Sequence, residues 1–141
     1  MIKTKIKKIL VALDGSKNSQ RGLDMAIHFA RQHHAKLTGI HVICSIPKDF
    51  QKLTYPEKPL LIEAEKIMGN AKKISAQNGI LFEKKISFGA IGSEIIKFAK
   101  SLDYDVIVIG ARGRGAIKEI FLGSVSNYVI HKSSIPVLLV K

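Results

Sequence analysis

Three runs of unbroken apolar residues, Ile9 to Leu13, Val106 to Ile109 and Val137 to Val140, constrain this chain more than any other feature. Each is four or five residues long and rich in β-branched side chains, the pattern of a strand covered on both faces. They are expected to be central parallel strands. Leu37 to Ile43 is a less continuous candidate because it contains Gly39 and His41. Ile80 to Phe88 is a fifth. Ile80, Phe82, Ile86 and Phe88 share one of its faces and Glu83, Lys85 and Ser87 the other, as on a half-exposed edge strand.

Between these runs the period changes to that of a helix. Leu23, Ala26, Ile27 and Ala30 recur at i, i+3, i+4 and i+7, with Ser16 placed to cap the start. Leu60, Leu61, Ala64, Ile67, Met68, Ala71 and Ile74 form a longer stripe that Asn78-Gly79 stops, with Glu63, Lys66, Lys72 and Lys73 turned to water. Ile91, Ile95, Phe98, Ala99 and Leu102 give a third helix, and Val125, Val129 and Ile130 a short fourth. Strand alternating with helix is the signature of βαβ units with right-handed crossovers and a parallel sheet.

At 141 residues, 46% hydrophobic and 24% charged, the chain has the size and make-up of one compact domain, residues 1–141. No stretch approaches the roughly 18 apolar residues of a membrane span, and Ile9 to Leu13 is too short for a signal-peptide core, so a cytoplasmic protein is expected. A lone Cys44 cannot form an internal disulfide, and no CxxC or paired Cys/His spacing is present to hold zinc. Lys and Arg number 23 against 11 Asp and Glu, a balance of +12 that favours anionic partners.

Two loops follow buried strands directly. Asp14-Gly15-Ser16 follows the first; Gly110-Ala111-Arg112-Gly113-Arg114-Gly115 follows the fourth, and Gly123-Ser124 then opens the last helix, giving G-x2-G-x9-G-S. Glycines at 110 and 113 let a backbone run close to a ligand and can set successive amides into an oxyanion nest. The step at 123–124 should leave the amides of Ser124, Val125 and Ser126 at a helix N-terminus, where the dipole favours phosphate and the two serine hydroxyls can also donate. Plainer readings stand beside these: a turn for the glycines, an N-cap for Ser124. Gly89-Ala90-Ile91-Gly92-Ser93 also spells GxxG and reads as a turn and cap. Asp14 can accept from a ribose hydroxyl or help hold Mg²⁺ through water, and can equally form an Asx turn at the head of the first helix. Residues 44–57 form the only long irregular connection, expected to be mobile.

V-A-L-D-G-S at 11–16, G-A-R-G-R-G-A-I-K-E-I-F-L-G-S-V-S at 110–126 and I-P-V-L-L-V-K at 135–141 together resemble the universal stress protein family, in order and over essentially the whole chain. The resemblance implies a Rossmann-like three-layer α/β sandwich with a five-stranded parallel sheet of order 3-2-1-4-5. It also implies binding of ATP, AMP or a related adenine nucleotide, with Mg²⁺ as a companion. Carried over, Gly110, Gly113, Gly123, Ser124 and the amide of Val125 would contact phosphates and ribose, with Ser126 assisting. Asp14 would face the ribose or the metal, while Ala12 and Val42 would border the adenine, Val42 through its backbone. Leu13, between Ala12 and Asp14, belongs to the same set. Arg112, like Arg114, is more basic than the motif requires and either strengthens phosphate binding or faces solvent.

In that order the fifth strand lies at an edge, where Val137, Leu138, Leu139 and Val140 would be sticky unless a second copy covered them, so a homodimer is expected. Catalysis is not indicated beyond slow ATP hydrolysis. His28, His33, His34 and His131 read as helix residues, and only His41 stands near the crevice. A nucleic-acid binder is the rival that the charge suggests, yet a buried strand rather than a helix leads into Gly110-Ala111-Arg112-Gly113 and aromatics for base stacking are few. Nucleotidyl transfer lacks its residues: the first loop reads D-G-S-K-N-S, and no HxGH occurs. The expected role is therefore an adenine-nucleotide-dependent regulatory or stress-response switch.

Overall fold

The computed structural model describes residues 5–44, 57–114 and 122–141. Strands and helices alternate: β1 Lys8–Ala12, α1 Lys17–His33, β2 Lys36–Cys44, α2 Glu57–Gln77, β3 Phe82–Gly89, α3 Ile91–Ser101, β4 Val106–Gly110, α4 Ser124–Lys132 and β5 Val137–Val140. The five strands form one parallel sheet of order β3-β2-β1-β4-β5, so the apolar runs of β1 and β4 are central as expected, whereas that of β5, read from its composition as central too, lies at the edge opposite β3. It is apolar because Leu138 and Val140 pack into one half of the core and Val137 and Leu139 into the other.

Alternation along β1 divides the core in two. Ile9, Val11 and Leu13 face α1 and α2, where they meet Leu23, Ala26, Ala30, Met68 and Ala71. Leu10 and Ala12 face the other side with Ile95, Ala99 and Val129 of α3 and α4. Both faces of the sheet are thus covered, which is what the unbroken apolar runs require. Gly39 does not weaken β2. A Cβ there would lie 2.2 Å from the ring of Phe82, so the glycine makes room for a large side chain that edge strand β3 sends into the core under α2.

The helix limits follow local chemistry. Ser16 caps α1 by accepting the amide of Ser19 at 3.2 Å, a bond worth about 1 kcal/mol in such caps. Asn78 donates its side-chain amide to the Ile74 carbonyl, and Gly79 leaves α2 at φ +73, beyond the reach of most side chains. The stripes run wider in sequence than in space. Leu60 and Leu61 are 43% and 40% exposed, and Leu102 and Ile130 are also exposed. Phe88 is likewise exposed near the end of β3. Residues 45–56, most of the irregular connection, lie outside the described residues.

Candidate functional site

β1 leads into α1 on one face of the sheet, and its neighbour β4 leads towards α4 on the other. The connections therefore diverge between adjacent strands and leave a crevice over their carboxyl ends, the place where open α/β sheets take ligands. It has a volume of about 800 Å³, within the roughly 300–1,000 Å³ usual for small-molecule sites.

All the residues singled out from sequence line this one cleft: Ala12, Leu13 and Asp14 after β1, Val42 on β2, Gly110, Arg112 and Gly113 after β4, and Gly123, Ser124, Val125 and Ser126 at the head of α4. Asp14 and Ser124 open onto the same hollow. Part of the lining is apolar, where Ala12, Ile40, Val42, Ile95 and Ile109 expose the upper end of the core on the α3 and α4 side. The rest is polar, from Asp14, Ser16, Ser19, His41, Glu63, Arg112 and Arg114.

Asp14 ties the two loops together. Its Oδ1 accepts the amide of Ser16 at 2.9 Å, the Asx turn that heads α1, and its Oδ2 accepts the amide of Arg114 at 3.1 Å, a hundred residues further on. Burial alone would raise its carboxyl pKa, but hydrogen bonds from Ser16, Arg114 and Ser19 outweigh it and hold the group below the usual carboxylate value of 3.8. A negative charge is thus fixed at the polar end of the cleft. Beside it, the Nδ1 of His41 lies 2.7 Å from the carbonyl of Leu13. A carbonyl only accepts, so Nδ1 carries the proton.

The three glycines of the motif differ in what requires them. A Cβ on Gly110 would lie 2.8 Å from the backbone of Asn18, so β4 and the first turn of α1 touch there. A Cβ on Gly113 would lie 2.6 Å from the Asp14 carboxylate. Gly123 is different. Its φ of −71° and ψ of 162° suit any residue, and a Cβ would come no nearer than 3.5 Å to Arg112 in the space between the glycine loop and α4. Nothing within the described residues demands a glycine at that position. As N-cap it also supplies no capping side chain, which leaves the first amides of α4 at its positive end on the cleft wall.

The segments on either side of this gap are held in register. The Gly123 amide donates to the Ala111 carbonyl at 2.7 Å, and the buried hydroxyl of Ser126 donates to Ala111 at 2.7 Å and Gly123 at 3.0 Å. Of the two hydroxyls expected to donate to a ligand, that of Ser126 is therefore engaged within the chain. It braces the wall. At the rim, the guanidinium of Arg114 pairs with the carboxylate of Glu63 on α2.

Sequence reading did not find Ser19, Leu60, Glu63, Ile91 or Ile95 as cleft residues. A signal for them existed. In a βαβ fold each helix starts above the carboxyl ends of the strands, so the first turns of α1 and α4 and the first two turns of α2 and α3 converge on the same end of the sheet. Among the described residues no group of three or more His, Cys, Asp or Glu is placed to hold a metal ion, and no helix is long and apolar enough to cross a membrane.

The sequence model of the universal stress protein family matches residues 5–141. The chain is 35% identical over 147 aligned residues to the universal stress protein YxiE of Bacillus subtilis, covering 95% of this chain and 98% of that one. Its fold superposes on that of hypothetical protein MJ0577 with a TM-score of 0.86 at 32% identity, covering 98% and 97% of the two chains. It also matches a universal stress protein from Archaeoglobus fulgidus solved in complex with dAMP, with a TM-score of 0.77 at 27% identity and all of both chains covered.

Proposed function

The chain belongs to the universal stress protein family, and we propose that it is a cytoplasmic member that binds an adenine nucleotide, ATP or AMP, and works as a binding switch rather than as an enzyme. The observation that carries this reading is the uncapped amino end of α4 facing the 110–113 loop across a gap that Gly123 keeps open. Backbone amides with no Cβ in front of them suit an oxyanion, and the helix dipole adds to their pull. The complex of the Archaeoglobus fulgidus relative with dAMP supports the same class of ligand.

In this reading the phosphates rest on the amides of Ser124 and Val125 and on the Gly110–Gly113 loop, with the hydroxyl of Ser124 donating and Arg112 adding charge. Asp14 accepts from the ribose. The adenine lies on the apolar lining between Ala12 and Val42 and takes backbone hydrogen bonds from Val42. Leu13 holds the base side of the cleft in place, since its amide bonds Ile40 and its carbonyl takes the ring of His41. A magnesium ion would enter with the phosphates and reach Asp14 through water. Both Asp14 oxygens already accept amides, which leaves their remaining lone pairs for such a bridge.

Occupancy of the cleft fixes the position of the loops that frame it, and a partner sensitive to those loops then reads the nucleotide state. Edge strand β5, whose four apolar residues are each only half-buried, pairs with a second copy to form a homodimer. Isothermal titration of the wild-type protein with ATP, ADP, AMP and adenosine tests the proposal. Saturable binding of the phosphorylated ligands, tighter than that of adenosine, is expected; no binding of any of the four would overturn it.

A further inference from the structure

The Arg114–Glu63 pair spans the rim of the cleft, and its two ends are held unequally. The root of Arg114 is anchored, because its amide is bound to Asp14 and the neighbouring Gly113 amide borders the gap in front of α4. Glu63 lies in the second turn of α2 and reaches across to the guanidinium. Both side chains are substantially exposed, at 58% and 40%, and ion pairs of that kind are weak. A phosphate offers the same guanidinium two oxygens and more charge, a stronger partner in a geometry arginine is built for.

Of the two acids in the lining, Asp14 has both oxygens committed to backbone amides, whereas Glu63 meets a side chain that can swing away. We propose, on the reading of the cleft as a nucleotide site, that Glu63 is a specificity-determining residue. Its carboxylate occupies Arg114 in place of a phosphate and must be displaced when one binds, so the pair sets how strongly the cleft favours phosphorylated over unphosphorylated adenosine. The exchange makes and breaks no covalent bond. Arg114 trades one anion for another, and Glu63 returns to water.

The test is a double-mutant cycle read by titration with ATP, AMP and adenosine. Glu63 stands half-exposed at the rim of the cleft and glutamine is a good helix former, so Glu63→Gln is expected to fold as the wild type does. It should tighten ATP about three- to fivefold, the effect of releasing one exposed pair, tighten AMP less, and leave adenosine unchanged. In an Arg114→Gln background the same substitution should change ATP affinity by less than about twofold, because the arginine it would release is gone. Equal tightening in both backgrounds would reduce Glu63 to a general charge effect and overturn the proposal. No tightening with Arg114 in place would overturn it as well. Failure of the wild type to bind ATP or AMP would instead remove the nucleotide reading on which it rests.

Discussion

Replacing Gly123 by alanine separates a glycine that the fold needs from one that a ligand needs. At φ −71° and ψ 162° an alanine is unstrained, and its methyl would sit 3.5 Å from Arg112 and 3.6 Å from Ala111 and Gly113. These are ordinary contacts. Alanine is a poorer N-cap than glycine by up to about 1 kcal/mol, but it also restricts the unfolded chain by about 0.4–1 kcal/mol, so the two nearly cancel. Melting followed by circular dichroism should move by less than about 3 °C. The same methyl stands in the gap where the phosphate is proposed to lie, and loss of one charge-assisted hydrogen bond is worth about 1.5–3 kcal/mol. That corresponds to a Kd for ATP or AMP weaker by about ten- to a hundredfold. Gly110→Ala provides the contrast. Its Cβ would press on the Asn18 backbone at 2.8 Å, so it should lose about 1–3 kcal/mol of stability, as overpacked sites do. A Gly123→Ala protein that binds both nucleotides as the wild type does would mean that no phosphate lies in this gap.

Asp14 should leave a mark on acid stability. Its folded pKa is depressed, so the stabilisation it brings is complete above its unfolded value of 3.8 and disappears as pH falls through the lower folded value. Asp14→Asn, which turns an acceptor towards an N–H into a donor, should cost about 1–3 kcal/mol near neutral pH. The gap from wild type should close in urea unfolding at the acid end; a gap that persists there would count against the assigned cause. Gly39→Ala should destabilise through its clash with Phe82, and Gly39→Ala with Phe82→Leu should recover part of the loss in the same assay. Light scattering coupled to size exclusion should return the mass of two chains, because β5 presents an apolar edge; one chain at micromolar concentration would reject that pairing.

The sheet was readable because its central strands are covered twice. Val106 to Ile109 has no polar interruption, and only a strand with helices on both faces can use such a run. Burial along the helices was less readable, since Leu60 and Leu61 continue the stripe of α2 and are nonetheless exposed. Periodicity reports which way a side chain points and not whether anything lies there. The motif glycines were legible as a group, but their separate causes were not. Gly110 answers to Asn18 and Gly113 to Asp14, partners far off in sequence, and among the described residues only Gly123 of the three meets no atom that demands a glycine. The same distance hid the bond from Arg114 to Asp14 and the Arg114–Glu63 pair, which span 100 and 51 residues.

Backbone amide shifts on titration with AMP and then ATP report on the phosphate seat itself. Resonances of Gly113, Ser124 and Val125 should move furthest and saturate together, with Val42 following at the base and distant amides such as those of α3's last turn unmoved. Saturable binding with the amides at the head of α4 left where they were would contradict the account.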